Sequence, residues 1–142
     1  MTTRKTVALK TSLFTLLNND ATLLALLGSA GRVKYGSPDQ NQQYPCVCYF
    51  SLTEVDGVYD ADSDDVDVVR SVFIVEVFSK EESPAQADNI EDRVYALLNR
   101  ANLNSSDQMV FTVRRDSKSS FYDADVQINR VQATYSITNH TL

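Results

Sequence analysis

The sequence predicts an α+β fold, a mainly antiparallel four-stranded sheet with helices packed on it in the order ααββαββ. Three observations predict it. Apolar residues recur every three or four positions in residues 6–27 and 85–98, the period of a helix with one buried face. They crowd or alternate in residues 45–55, 66–79, 108–115 and 126–137, as strands require. Polar stretches carrying Gly, Pro, Asn and Asp separate these segments.

Leu9, Leu13, Leu16 and Leu17 line one face of the first helix, over residues 6–17. Asp20 then stands before residues 21–27 with Gly28 directly after, so Asp20 caps a short second helix and Gly28 supplies the left-handed residue that ends it. Residues 28–45 turn irregular, with at most a short strand at residues 32–35. Beyond Pro45, the residues Cys46, Cys48, Phe50 and Leu52 alternate with Val47, Tyr49, Ser51 and Thr53, which predicts a strand with one apolar face, that of the cysteines. The next strand, residues 66–79, is apolar at both parities: Val69, Phe73, Val75 and Val77 against Val68, Val72, Ile74 and Phe78. Such a strand is covered on both sides and belongs in the middle of the sheet. It pairs with its predecessor as an antiparallel hairpin with a long polar tip around Gly57.

Ser83, Pro84 and Gln86 read as a capping box with proline in the first turn. The helix they start carries the stripe Ala87, Ile90, Val94, Leu97 and Leu98. Strands at residues 108–115 and 126–137 follow, joined by the polar stretch 116–125. In the last strand Val126 and Ile128 have the opposite parity to Val131, Ala133, Tyr135 and Ile137, which predicts a bulge near Asn129.

A chain of 142 residues with 43% hydrophobic and 23% charged residues is expected to fold as one domain, residues 1–142. No apolar run approaches the roughly 20 residues of a membrane span, and the start shows no export signal, so synthesis in the cytoplasm is expected. The net charge of −6 and pI near 4.6 argue against a sequence-independent DNA binder, which needs a basic face. Cys46 and Cys48 lie two apart in a strand and face the same way, too far apart for the roughly 3.5 to 4.5 Å between Cβ atoms of a disulfide, so they read as buried thiols.

Catalytic constellations are scarce. His140 is the only histidine and lies two residues from the end, a position that usually frays. There is no phosphate loop, dinucleotide fingerprint or zinc signature, so no cofactor, no metal and no enzymatic role are expected. Arg114 and Arg115 end the predicted third strand facing opposite ways, and with Arg70 and Arg130 they read as edge protection or salt bridges. The tyrosines read as core or interface residues.

One concentrated feature remains. Glu54, Asp56, Asp60, Asp62, Asp64, Asp65 and Asp67 place seven carboxylates in fourteen residues. Asp60, Asp62 and Asp64 match the first ligands of a calcium loop, but Asp65 stands where glycine is required and Ser71 where the bidentate glutamate belongs. The segment is therefore a solvated hairpin tip or an acidic loop that meets a protein partner or a channel, with calcium binding the least favoured reading.

Several runs resemble the tail-terminator or tail-completion family of long-tailed bacteriophages. They are Leu9 onward into N-N-D-A-T-L-L-A-L-L-G at residues 18–28, Arg32-Val-Lys-Tyr35 with Pro38 and Pro45, the β-rich residues 68–78, the amphipathic helix 85–98 and the closing strand 126–137. The resemblance implies a hexameric ring on the head-proximal end of the tail tube, in the neck of the virion. Its implied partners are further copies of itself, the tail tube protein and a head-completion or connector protein, with DNA passing through the lumen without specific binding and no membrane involved. An acidic lumen repels phosphates, which fits. The alternatives are another neck component, such as a head-closure or connector protein, a monomeric cytosolic module binding a small ligand, or a metal-dependent hydrolase or nuclease using the acidic segment.

Overall fold

The computed structural model describes residues 5–56, 68–99, 101, 103 and 108–141. In chain order the elements are α1 (Lys5–Asn18), α2 (Ala21–Leu27), β1 (Val33–Tyr35), β2 (Cys46–Asp56), β3 (Val68–Ser79), α3 (Ala85–Leu98), β4 (Gln108–Asp123) and β5 (Ile128–Thr141). The strands form one sheet in the order β1-β2-β3-β5-β4. Every pairing is antiparallel except β1 with β2, which is parallel. The fold is α+β as expected, but the sheet is five-stranded and mixed, and the order is ααβββαββ. The extra strand is the three-residue Val33–Tyr35, whose Val33 is buried opposite Val47. Arg32 ties the irregular segment around it together, donating to the carbonyls of Leu27 and Tyr44.

The helical pair forms as its spacing requires. Leu9, Leu13, Leu17, Leu23 and Leu27 are all buried. Asp20 accepts from the Leu23 amide at 2.8 Å, and Gly28, at φ 93°, closes α2 with its amide on the Leu24 and Ala25 carbonyls. These leucines join Val47, Tyr49, Phe73, Val75, Val77, Val131, Ala133, Tyr135 and Ile137 from the sheet, and Ala87, Ile90, Val94 and Leu98 from α3, in one core cluster. Leu97 packs on this cluster only partly buried.

The helices therefore cover the Val47 and Tyr49 face of β2. The face expected to be the apolar one, that of Cys46, Cys48, Phe50 and Leu52, points away from them. Cys46 and Cys48 are nonetheless free thiols with no exposure, so this strand is buried on both sides at its start and open towards Leu52, which is 57% exposed beside a register shift between Ser51 and Thr53. The side-chain hydrogen bond with Cys48, together with burial, pushes the Cys46 thiol up. The antiparallel pairing of β2 with β3 runs from Cys46↔Phe78 to Asp56↔Val69, and β3 is central, as its two apolar faces require.

Four local expectations are corrected. α3 has no side-chain cap: the Ser83 hydroxyl accepts from Ala85, and Gln86 is occupied by the Ser79 hydroxyl, so the box does not close. The polar stretch after Arg115 is not a connection but the continuation of β4 to Asp123, paired with β5 throughout, which also puts Arg114 and Arg115 in mid-strand. The irregularities fall in β4, at Val110/Thr112 and Arg115/Ser117. β5 begins only at Ile128 and pairs evenly past Asn129, so Val126 belongs to the turn at residues 124–127 and Ile128 lies on the sheet face opposite that of Val131, with no bulge between them. His140, expected to fray, holds a place in the ladder between Val68 and Met109.

Candidate interaction surface

Of the acidic residues singled out in the sequence, Glu54 is exposed on β2 and Asp56 is the last residue of that strand, opposite Val69. Asp60, Asp62, Asp64, Asp65 and Asp67 lie outside the described residues. Among the described residues no cluster of His, Cys, Asp and Glu is arranged to hold a metal ion, and no helix is long and apolar enough to cross a membrane.

Two surfaces stand out instead. On the sheet face away from the helices, the ladder places Phe78, Arg130 and Phe121 side by side on β3, β5 and β4. The Arg130 guanidinium lies 5.4 Å from the Phe78 ring centre and 5.0 Å from that of Phe121, a cation–π sandwich. Its charge is met by Glu76, with Nε 2.5 Å from Oε2 and Nη2 on the same oxygen. The Arg130 charge on this strip is thus met by a carboxylate and two aromatic rings.

At the tip of the β4–β5 hairpin, Phe121, Tyr122 and Val126 are exposed by 42%, 53% and 56%. Phe121 and Tyr122 border a cleft of about 430 Å³ between the start of α3 and the hairpin, lined among others by Pro84, Ala87, Asn129, Arg130 and Val131. Leu52 provides a second exposed apolar point on β2, on the other side of the sheet's centre strand β3. A group of large apolar side chains held open to water, as on the hairpin, is the kind of patch where another surface docks, whereas single exposed residues such as Leu52, Phe14 and Leu26 are ordinary.

The sequence reading missed a third arrangement, inside the molecule. Glu91 falls within the buried stripe of α3, between Ile90 and Val94, and has no exposure. Tyr135 on β5 donates to its Oε1 at 2.5 Å, and Arg115, the ladder neighbour of Tyr135 on β4, stands 3.7 Å from the same oxygen. Burial pushes Glu91 up to about 7 against the opposing pull of the Tyr135 hydrogen bond, Arg115 and Lys118. Helical spacing alone marks position 91 as buried, since it lies four after Ala87 and three before Val94. Its partners, 44 and 24 positions further on, are visible only once β4 and β5 are paired.

These features define a small α+β protein with exposed apolar side chains on β2 and on the β4–β5 hairpin. The chain belongs to the family of the tail completion protein gp17, whose model matches residues 11–139. Among solved structures, a chain from the virion of a native gene transfer agent particle shares the fold with a TM-score of 0.78, covering 97% of this chain and 99% of that chain at 18% sequence identity. The curated proteins give no match.

Proposed function

We propose that this structural tail protein is the terminator of the tail. In this reading six copies of the one-domain subunit form a ring on the head-proximal end of the tail tube, halt its growth and present the other ring face to a head-completion or connector protein. The observation that carries the reading is the family match across residues 11–139, supported by a fold shared along nearly the full length with a chain of a phage-like virion. A ring needs a heterologous contact, one patch on each side of the subunit, repeated with a rotation that closes. Leu52 on β2 and the Phe121, Tyr122 and Val126 group on the β4–β5 hairpin are exposed apolar points on opposite sides of β3, as such a contact requires. The finished protein resides in the virion neck, and DNA passes through a lumen that an acidic chain keeps from binding it.

The test is electron microscopy of tail tubes mixed with the purified protein, with mass measurement of the protein alone. The expected result is a sixfold ring at one tube end only and tubes that no longer lengthen. A protein that forms no six-copy ring by itself and never sits at a tube end overturns the reading.

A further inference from the structure

Glu91 occupies the middle of the α3 face that packs on the sheet, where an apolar side chain is the rule. Beneath it the ladder sets Phe73, Tyr135 and Arg115 in one row across β3, β5 and β4. The Arg115 guanidinium lies 4.1 Å from the ring centre of Tyr95, one helical turn beyond Glu91. Two buried atoms here have no hydrogen-bond partner among the described residues, Glu91 Oε2 and Arg115 Nη1. One is an acceptor and the other a donor, and Nη1 stands 3.7 Å from the other oxygen of the same carboxyl group, Oε1. A shift of the guanidinium by under about 1 Å brings Nη1 to ordinary hydrogen-bond distance of that carboxyl group.

We propose that Glu91, Tyr135 and Arg115 form a proton-controlled clasp between α3 and β4: with Glu91 neutral, Arg115 rests on Tyr95, and when Glu91 loses its proton Arg115 moves onto the carboxylate. The ionised carboxylate has one donor, Tyr135, within hydrogen-bond distance and a bare second oxygen, an arrangement that burial makes expensive until a cation closes in. The neutral acid makes no such demand. Tyr135 is held far above the ordinary tyrosine range by burial and by Glu91, so the phenol keeps its proton throughout and Glu91 is the group that changes.

The Lys118 charge also acts on Glu91, but its ammonium and the other charges around α3 are taken up by partners outside the clasp. Lys118 of β4 lies 3.6 Å from Asp88 and 3.7 Å from Asp92, Ser120 donates to Asp88, and on the α2 side Arg93 is taken by Asp20. α1 and β3 contribute Leu13, Leu17, Phe73 and Val75 to the core, without charge. The clasp is a property of the subunit and does not rest on the ring.

The folded chain holds the Glu91 proton to about pH 7, whereas the unfolded chain releases it near 4.5. Stability from this group is full below 4.5 and is lost as pH rises through 7. Carboxyl-carbon and guanidinium NMR of the unaltered chain, followed from pH 5 to 8, should show Glu91 and Arg115 changing together with one midpoint near 7. Melting of the Glu91→Gln chain over the same range should lack the several-degree decline of the parent, with His140 present in both as the control. A Glu91 midpoint below 5, or Arg115 signals that stay fixed while Glu91 titrates, overturns the proposal. The NMR titration keeps it refutable even if Glu91→Gln does not fold.

Discussion

Asp20 shows how much of a residue's role its own neighbourhood reveals. Its position before Ala21 marks it as a cap, and it does accept from Leu23. Nothing nearby announces Arg93, which comes 73 positions later and grips the same carboxylate with Nε at 2.9 Å and Nη2 at 2.7 Å. That paired grip, with the Leu23 amide, holds the Asp20 carboxyl below its ordinary range despite the opposing effect of burial. Depressed carboxylates stabilise the fold above the unfolded value, here 3.8, and lose that contribution as pH falls through the folded one. Asp20→Asn keeps a capping oxygen and removes the charge. Asp20→Ala also removes the cap, worth about 1 kcal/mol. We therefore expect Asp20→Ala to be the less stable of the two at pH 7 in denaturant melts, and the parent's advantage over Asp20→Asn to shrink below pH 4. Equal stability of the two variants removes the cap from the account. Glu91 differs in kind, since helical spacing fixes that it is buried but only the tertiary fold tells what it is buried against.

Elements were legible where their own side chains bury and illegible where only their backbone pairs. α1, α2 and α3 follow their leucine, isoleucine and valine spacing to within a residue or two of the expected bounds. The second half of β4 does not, because Ser117, Lys118, Ser119 and Ser120 carry no apolar alternation and are exposed at the sheet edge. What makes them a strand is the ladder with β5, which the sequence shows only as a long polar stretch. β2 misled differently: both its faces are buried at residues 46–49, so counting apolar residues could not decide which side the helices take. α3 allows a graded test of its own seat. Ile90 has no exposure and Leu97 is only partly buried, so Ile90→Ala should cost on the order of 2 to 5 kcal/mol and Leu97→Ala clearly less. Urea melts giving the reverse order would show that α3 sits on the sheet by a different face.

For the whole molecule, the strand order could not be read along the chain, because β5 inserts between β3 and its own predecessor β4. The acidic segment was legible as composition, and the β2–β3 ladder on either side of it runs from Cys46↔Phe78 to Asp56↔Val69. Seven carboxylates in fourteen residues repel one another and cannot share a dry site, so in the ring we propose they meet water, the lumen or cations of a partner. These possibilities separate on one variant. Changing Asp60, Asp62, Asp64 and Asp65 to asparagine touches none of the core residues among the described ones, and folding should be nearly unaffected. If the segment meets a basic partner, tail capping should weaken, and the difference from the parent should be larger at low salt, where charge attraction is least screened. If it lines the lumen, capping should survive while DNA delivery falls, because repulsion of the phosphates is lost. Electron microscopy of tails assembled with the variant reads the first outcome and a delivery assay the second. Tails of normal length that deliver normally would leave the segment a solvated turn and confine the contacts of this protein to the apolar points on β2 and the β4–β5 hairpin.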